Sequence, residues 1–429
     1  MASLFSFKKF VALVVVLLFF LVCFITYESP GVVDWRSLRG IAFESDDWGL
    51  AGFVPRSDIW QGHNREDLSP GKFPEVYWES TLEDSLMVAN LCKIMASVKG
   101  ADGLSAVFQP NYVMSSLSYE KGPEGWVWKR YDLPQFPPTY ERPGMWDAVQ
   151  QGISSGVWYP EYHATWHYDP AMRLESALQT DFSVEMAKAG VTLFPGSEFV
   201  RELGPWRSKS NLKDELAHSQ TVFKNSFGRP MGAIIAPDYT WDDRCEKLWQ
   251  EMGVFVIQAK REQRNPSLHK GLSGRVEKFI KRQWAVLTRG PKVYLERNCR
   301  LEPVQAPDAD LVVQTCVNET YRAWEKGSPA IVETHRVNFA HDDPKIVQLG
   351  QNALNSYVQS VCDDVRSLPV FLVDKEISQL QTRGVSWVIR GNSLVLRNAT
   401  HSRRLVFVDH QKQSRWFILA KNSVYVTKW

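Results

Sequence analysis

The stretch FESDDWG, Phe43 to Gly49, holds three carboxylates: Glu44, Asp46 and Asp47. It directly follows the apolar run Gly40-Ile41-Ala42-Phe43. Like charges this close repel, and one pKa rises unless the cluster is solvated or holds a cation. A second cluster, EYHATWHYD, contains His163 and His167. Their spacing predicts two imidazoles on one face of a helical turn. With a carboxylate from elsewhere they would form a transition-metal site, although H-x-x-x-H alone also fits two packing histidines. The H-E-x-x-H of metalloproteases is excluded, because Ala164 stands where the Glu would be. In AIVETHRVNF, His335 follows an apolar strand. In GAIIAPDYTWDD, another apolar strand ends in Pro237-Asp238-Tyr239.

The elements that must position these groups alternate between short apolar runs and helical patterns. Strands are predicted at GIAFES, SAVFQPNYVM, VWYPEYH, MGAIIAP, VFVIQA, SPAIVETH and LPVFLV. Helices are predicted at EDSLMVANLCKIMASV, MWDAVQQGISSG, SALQTDFSVEMAKAGV, DDRCEKLWQEMG and PKIVQLGQNALNSYVQSVCDDV. The first of these helices places Leu86, Leu91, Ile94 and Met95 on its apolar side. The alternation predicts an α/β fold with a parallel sheet, a barrel. All four clusters then fall at the C-terminal rim, where barrel active sites assemble.

In this order the clusters resemble the polysaccharide deacetylase superfamily, the NodB homology domain, over roughly residues 38–380. FESDDWG stands in place of the family's T-F-D-D-G, and HATWH matches H-[ST]-x-x-H. IAPDY partly matches R-x-P-[YF], and VETH loosely matches L-x-H. The resemblance implies a distorted (β/α) barrel of the NodB type and a metal-dependent hydrolase that removes acetyl groups from a cell-surface or extracellular polysaccharide. It implies Asp47, His163 and His167 as ligands of a divalent metal, zinc above others. Asp46 would be the general base and His335 the acid for the leaving group. The Tyr239 N–H would stabilise the oxyanion, with Pro237 and Trp48 beside the substrate, and Glu44 would support Asp46 or point away from it. The Arg of the third motif, which orients the catalytic Asp in that family, is absent from its place, and Arg229 lies too far upstream to replace it by sequence. Two other readings stay open. One is a glycoside hydrolase using paired carboxylates. The other is a non-catalytic, membrane-tethered glycan-binding protein.

Before the barrel, Lys8-Lys9 precede an apolar run from Phe10 to Ile25. The exit VCFITYESPG lacks a small-x-small cleavage pattern, so an uncleaved anchor is expected, with a cleaved signal peptide as the alternative. The expected organisation is a cytoplasmic 1–9, a transmembrane anchor 10–27 in the lipid bilayer, a barrel 35–382 on the periplasmic or extracellular side, and a small β-rich module 383–429. A net charge of +2 over 429 residues implies no broad basic surface and argues against nucleic acid as a partner. The 17 Trp are read as core, with sugar-stacking platforms as the minority reading. Cys23 lies in the apolar run; the other five cysteines show no C-x-x-C. Asn318-Glu-Thr and Asn398-Ala-Thr match the glycosylation pattern.

Overall fold

The computed structural model describes residues 33–51, 53–61, 75–191, 202–204, 207–259, 293–364, 367–410 and 412–429. The expected cytoplasmic segment and the anchor at 10–27 lie outside these. Among the described residues, no helix is long and apolar enough to cross a membrane.

The chain runs α1 (Trp35–Leu38), β1 (Gly40–Trp48), α2 (Ser85–Ser97), β2 (Phe108–Val113), β3 (Ser115–Gly122), β4 (Gly125–Asp132), α3 (Met145–Ser154), β5 (Glu161–Ala164), α4 (Pro170–Ser176), α5 (Asp181–Lys188), α6 (Lys209–Phe227) and β6 (Ala233–Ile234). It continues with α7 (Asp243–Glu251), β7 (Val256–Ala259), β8 (Val293–Glu296), β9 (Cys299–Arg300), α8 (Ala309–Glu325), β10 (Ala330–His335), α9 (Pro344–Val361), β11 (Val370–Phe371) and α10 (Asp374–Arg383). The strands β12 (Val385–Arg390), β13 (Ser393–Asn398), β14 (Arg404–His410), β15 (Gln413–Leu419) and β16 (Ser423–Lys428) complete it. Aspartates start many of the helices. Asp84, Asp169, Asp242, Asp308 and Asp343 each accept backbone N–H bonds as N-caps, and Pro344 follows at the first helical position of α9.

The main sheet is parallel throughout, in the order β8-β7-β6-β5-β2-β1-β10-β9, with β11 beside the start of β1. Its two edge strands, β8 and β9, are consecutive pieces of one segment. Between them the Arg297 N–H bonds the Ala259 carbonyl on one side, and the Asn298 N–H bonds the Ile331 carbonyl on the other. The sheet therefore curls until one segment spans both edges, and opposite strands exchange side-chain hydrogen bonds across the interior: Asn111 of β2 donates to Gln258 of β7 at 2.8 Å. The apolar core lies between this sheet and its helices, with Val88, Leu91 and Met95 of α2 fully buried in it. Leu86, expected on that apolar side, instead faces outward at 64 % exposure.

The module after α10 is β-rich as expected and sits on the N-terminal end of the barrel, away from the rim. The Arg390 guanidinium donates to the carbonyls of Ser105 and Gly156, which precede β2 and β5, and of Phe371 in β11 beside the start of β1. Buried Arg397 pairs with Glu376 at 2.7 Å and Asp102 at 2.5 Å. The Asn398 amide is buried and donates to the carbonyls of Ser402 and Ala420, so this glycosylation match is occupied as a structural side chain. The five cysteines of the described residues are free thiols.

Gly350 of α9 packs directly against the turn that follows β10. A Cβ there would meet the Asn338 carbonyl oxygen at 1.6 Å. Gly350→Ala should therefore force the helix off the turn and cost about 1–3 kcal/mol, the scale of overpacking. Urea denaturation checks this; an unchanged midpoint would contradict the close approach.

Candidate metal centre and its proton-handling groups

Strand alternation would send Asp46 and Asp47 to opposite faces of β1. The strand breaks that rule. Its register with β2 shifts between Ser45 and Trp48, and Asp47 has φ 71°. Asp46 points into the barrel with Glu44, and the left-handed backbone turns Asp47 toward the rim. His167 has φ 73°, and Asp238 and Tyr239 also lie at positive φ. Four of the seven positive-φ non-glycine residues among the described residues thus gather at this rim.

His163 sits in β5 and His167 in the bend after it. The expected helical turn is not there; an extended strand followed by a reversed residue brings the two rings together instead, with centroids 4.8 Å apart. Glu202 holds the bend by accepting the N–H groups of Thr165, Trp166 and His167 at 2.6–3.0 Å. Nε2 of His163 lies 3.3 Å from Asp47 Oδ1, and Nε2 of His167 lies 3.1 Å from it. Nδ1 of His163 donates to the Ile235 carbonyl at 3.0 Å, which leaves Nε2 as the free ligand atom. Zinc bonds of roughly 2.0–2.2 Å in tetrahedral array put donor atoms about 3.3 Å apart, so these three buried groups fit one divalent cation. Burial opposes the charge on Asp47, but its contacts with His163 and His167 hold its pKa well below the usual range.

Asp46 is clamped. Burial alone would raise its pKa, yet Arg297 overrides this and holds it far below the carboxylate range. Nη1 and Nη2 of Arg297 donate to the two Asp46 oxygens at 2.6 and 2.7 Å, and Asn111 adds a bond at 2.8 Å. The same guanidinium donates through Nε to Glu44 at 2.6 Å and through Nη2 to Gln258 at 2.9 Å. Burial and the nearby Asp374 push Glu44 well above its ordinary pKa, and Arg297 offsets this only in part. Arg297 thus orients the aspartate from the β8–β9 junction. Arg229 does not reach it; its guanidinium pairs with Glu161 at 3.2 Å.

His335, paired in register with Asp46 across β1 and β10, ends its strand with Nε2 3.8 Å from Asp46 Oδ2. Nδ1 bonds Glu302 at 2.5 Å. Burial pulls its pKa down, but Glu302 and then the two aspartates lift it to about 10. The imidazolium is therefore the form present at neutral pH. Because the folded value exceeds the unfolded value of about 6.5, this pairing stabilises the fold fully below the unfolded value and ceases to do so as pH rises through the folded one. In Glu302→Gln, without metal, the His335 titration should fall by roughly 1–3 pH units. Imidazole NMR reads this directly, and an unchanged titration would contradict the pairing.

Three expected site residues are placed differently. The Tyr239 N–H is engaged with the Ala236 carbonyl at 3.0 Å, so it does not serve as an oxyanion donor; the Tyr239 hydroxyl faces the site, between Glu333 at 2.9 Å and Arg297 at 3.2 Å. Trp48 is buried in the core, its indole N–H bonded to Ser45 and its ring against Trp158, so it is packing rather than a substrate contact. Pro237 is buried at the start of the short turn that carries Asp238 and Tyr239.

No family model and no curated protein matches the chain. Solved structures do. The chain is similar to solved carbohydrate deacetylases. One is Agd3, a carbohydrate deacetylase, at 10 % identity, covering 90 % of this chain and 64 % of that one, TM-score 0.43. Another is the Xyl-CE4 domain of a multidomain xylanase from the hindgut metagenome of Trinervitermes trinervoides, at 9 % identity, 79 % and 88 % coverage and TM-score 0.34. PuuE allantoinase matches at 9 % identity, 83 % and 93 % coverage and TM-score 0.39. The chemistry is carried by the side chains described above.

Proposed function

We propose that this protein is a metal-dependent hydrolase that removes acetyl groups from a cell-surface or extracellular polysaccharide. The observation that carries the reading is one rim where Asp47, His163 and His167 converge beside a carboxylate held ionised and an imidazole held protonated. Two imidazole nitrogens and one carboxylate suit zinc. Bound there, a divalent cation would supply a Lewis acid that polarises the acyl carbonyl and lowers the pKa of water towards roughly 7.

The chain's own groups divide the proton work. Asp46 accepts the proton of the attacking water, because Arg297 and Asn111 keep it charged and fixed in direction. His335 delivers a proton to the departing amine or alcohol, with Glu302 keeping the imidazole protonated and oriented. Its side chain is a quarter exposed, whereas Asp46 and Asp47 are nearly sealed, so a substrate approaches from the His335 side. The arginine missing from the third motif has a counterpart in Arg297, which holds Asp46 from the β8–β9 junction and supports a catalytic over a non-catalytic reading. A glycoside hydrolase would have no use for the converging histidines.

The reading is tested by acetate release from a panel of N- and O-acetylated glycans, with Asp46→Asn as control. Release by the parent and not by the variant is expected; no release from any glycan would overturn it. The proposed location is the membrane, with residues 10–27 as anchor and the barrel outside. Protease added to intact spheroplasts should then digest the barrel, and full protection would contradict that placement.

A further inference from the structure

The C-terminal module has a second, outward surface that the site does not explain. Its sheets stack in layers. Val388 and Val395 of β12 and β13 face the barrel core, and Leu394 and Leu396 face β14–β15. Val406, Val408 and Leu419 form the inner face of that second sheet. An antiparallel sheet covered on one face normally presents polar residues on the other. Here Leu405 lies opposite Ile418 and Phe407 opposite Trp416, with exposures of 60, 77, 45 and 64 %. The Phe407 and Trp416 rings are 4.8 Å apart, so the four side chains make one contiguous apolar patch.

The rim of this patch is basic. Arg403 precedes β14, Arg404 opens it, Lys412 lies at the hairpin tip, and Lys421 follows β15, all exposed. Residues 385–429 carry eight Lys and Arg and a single acidic residue, Asp409, in a chain whose net charge is only +2. Of these, Arg390 and Arg397 are buried against the barrel, whereas Arg403, Arg404, Lys412, Arg415 and Lys421 lie exposed on the β14–β15 hairpin and its flanks.

We infer that this face docks on an anionic lipid surface. Leu405 and Ile418 offer a sugar neither a ring to stack on nor a hydrogen bond. Trp and Phe beside aliphatic side chains suit the boundary between headgroups and acyl chains, and a Lys/Arg rim complements anionic headgroups. The layering fixes the orientation. Lipid, β14–β15, β12–β13–β16 and barrel follow one another, so the rim bearing Asp46 and Asp47 opens away from the bilayer. This contact is separate from the expected anchor at 10–27 and does not depend on the proposed chemistry.

The test uses the full chain on vesicles of phosphatidylcholine with and without phosphatidylglycerol, doped with a lipid that carries a photoactivated diazirine near its headgroup. Peptide mapping after illumination should show residues 403–421 labelled several-fold above barrel peptides, on the anionic vesicles only. The combined substitution of Arg403, Arg404, Lys412 and Lys421 by Gln, which leaves the sandwich interior intact, should return labelling to the barrel level. So should Trp416→Ser with Ile418→Ser. Labelling at the barrel level on both vesicles would overturn the inference, as would equal labelling on both. Protection of these peptides by a soluble glycan, or by self-association without lipid, would assign the face to those occupants and overturn it too.

Discussion

Replacing Arg297 with methionine is expected to cost about 3–5 kcal/mol of stability, the scale of breaking a buried ion pair by removing one partner. The side chain is fully buried and is the shared cation of Glu44 and Asp46. Its loss leaves Asp46 in the interior without its hydrogen-bonded counter-charge, with His335 at 3.8 Å as a weaker one, and burial then raises the pKa. The sign follows: Asp46 contributes stability above its unfolded pKa, and that stability is lost as pH falls through its depressed folded value. Without Arg297 the folded value rises, and the stability that Asp46 contributes above its unfolded pKa shrinks or reverses. Arg297→Lys separates folding from function. It retains a charge but not the fork that fixes both carboxylate oxygens, so it should stay folded and lose acetate release by at least tenfold. Urea denaturation and the acetate assay measure the two effects. A methionine variant within about 0.5 kcal/mol of the parent, the range of an ordinary surface substitution, would show that the clamp does not hold the site.

Asp46→Asn should lower hydrolysis by on the order of 10²–10⁴-fold while leaving the metal bound, because an amide keeps the shape but takes no proton at neutral pH. Asp47→Asn should lose both, since its oxygen is the point where His163 and His167 converge. Acetate release and metal content, measured on the same preparations, separate the roles. Near-parent activity in Asp46→Asn would remove it from the mechanism.

Much of the site was legible because its groups lie at strand ends, beside apolar runs that are easy to read. Asp46, Asp47, His163, His167 and His335 were found that way. What supports them was not. Arg297, Glu302 and Glu202 lie in stretches with no pattern of their own, and they matter only once the sheet curls. Asn111, Gln258, Arg297 and Asp374 meet inside the barrel from four distant segments. The motif suggested an arginine near Pro237, whereas the fold provides it near residue 300, a substitution in space that linear spacing cannot register. The helical reading of His163 and His167 failed for a related reason. A four-residue spacing serves a helix, but a strand followed by a positive-φ residue meets the same need. Trp48, expected beside the substrate, is turned into the core by the register shift in β1. The long helices α6 and α8 escaped because their apolar positions are diluted by polar ones. The module at 383–429 was readable from alternation alone, and the outward apolar pairs are where that alternation puts the wrong kind of residue.

The most direct measurement is the divalent metal content of the full chain after exhaustive dialysis, in the parent and in His163→Ala. About one zinc ion per chain is expected in the parent and a large loss in the variant, because one of three ligands is gone. A parent that binds no divalent ion, or a variant that binds as much as the parent, would contradict it.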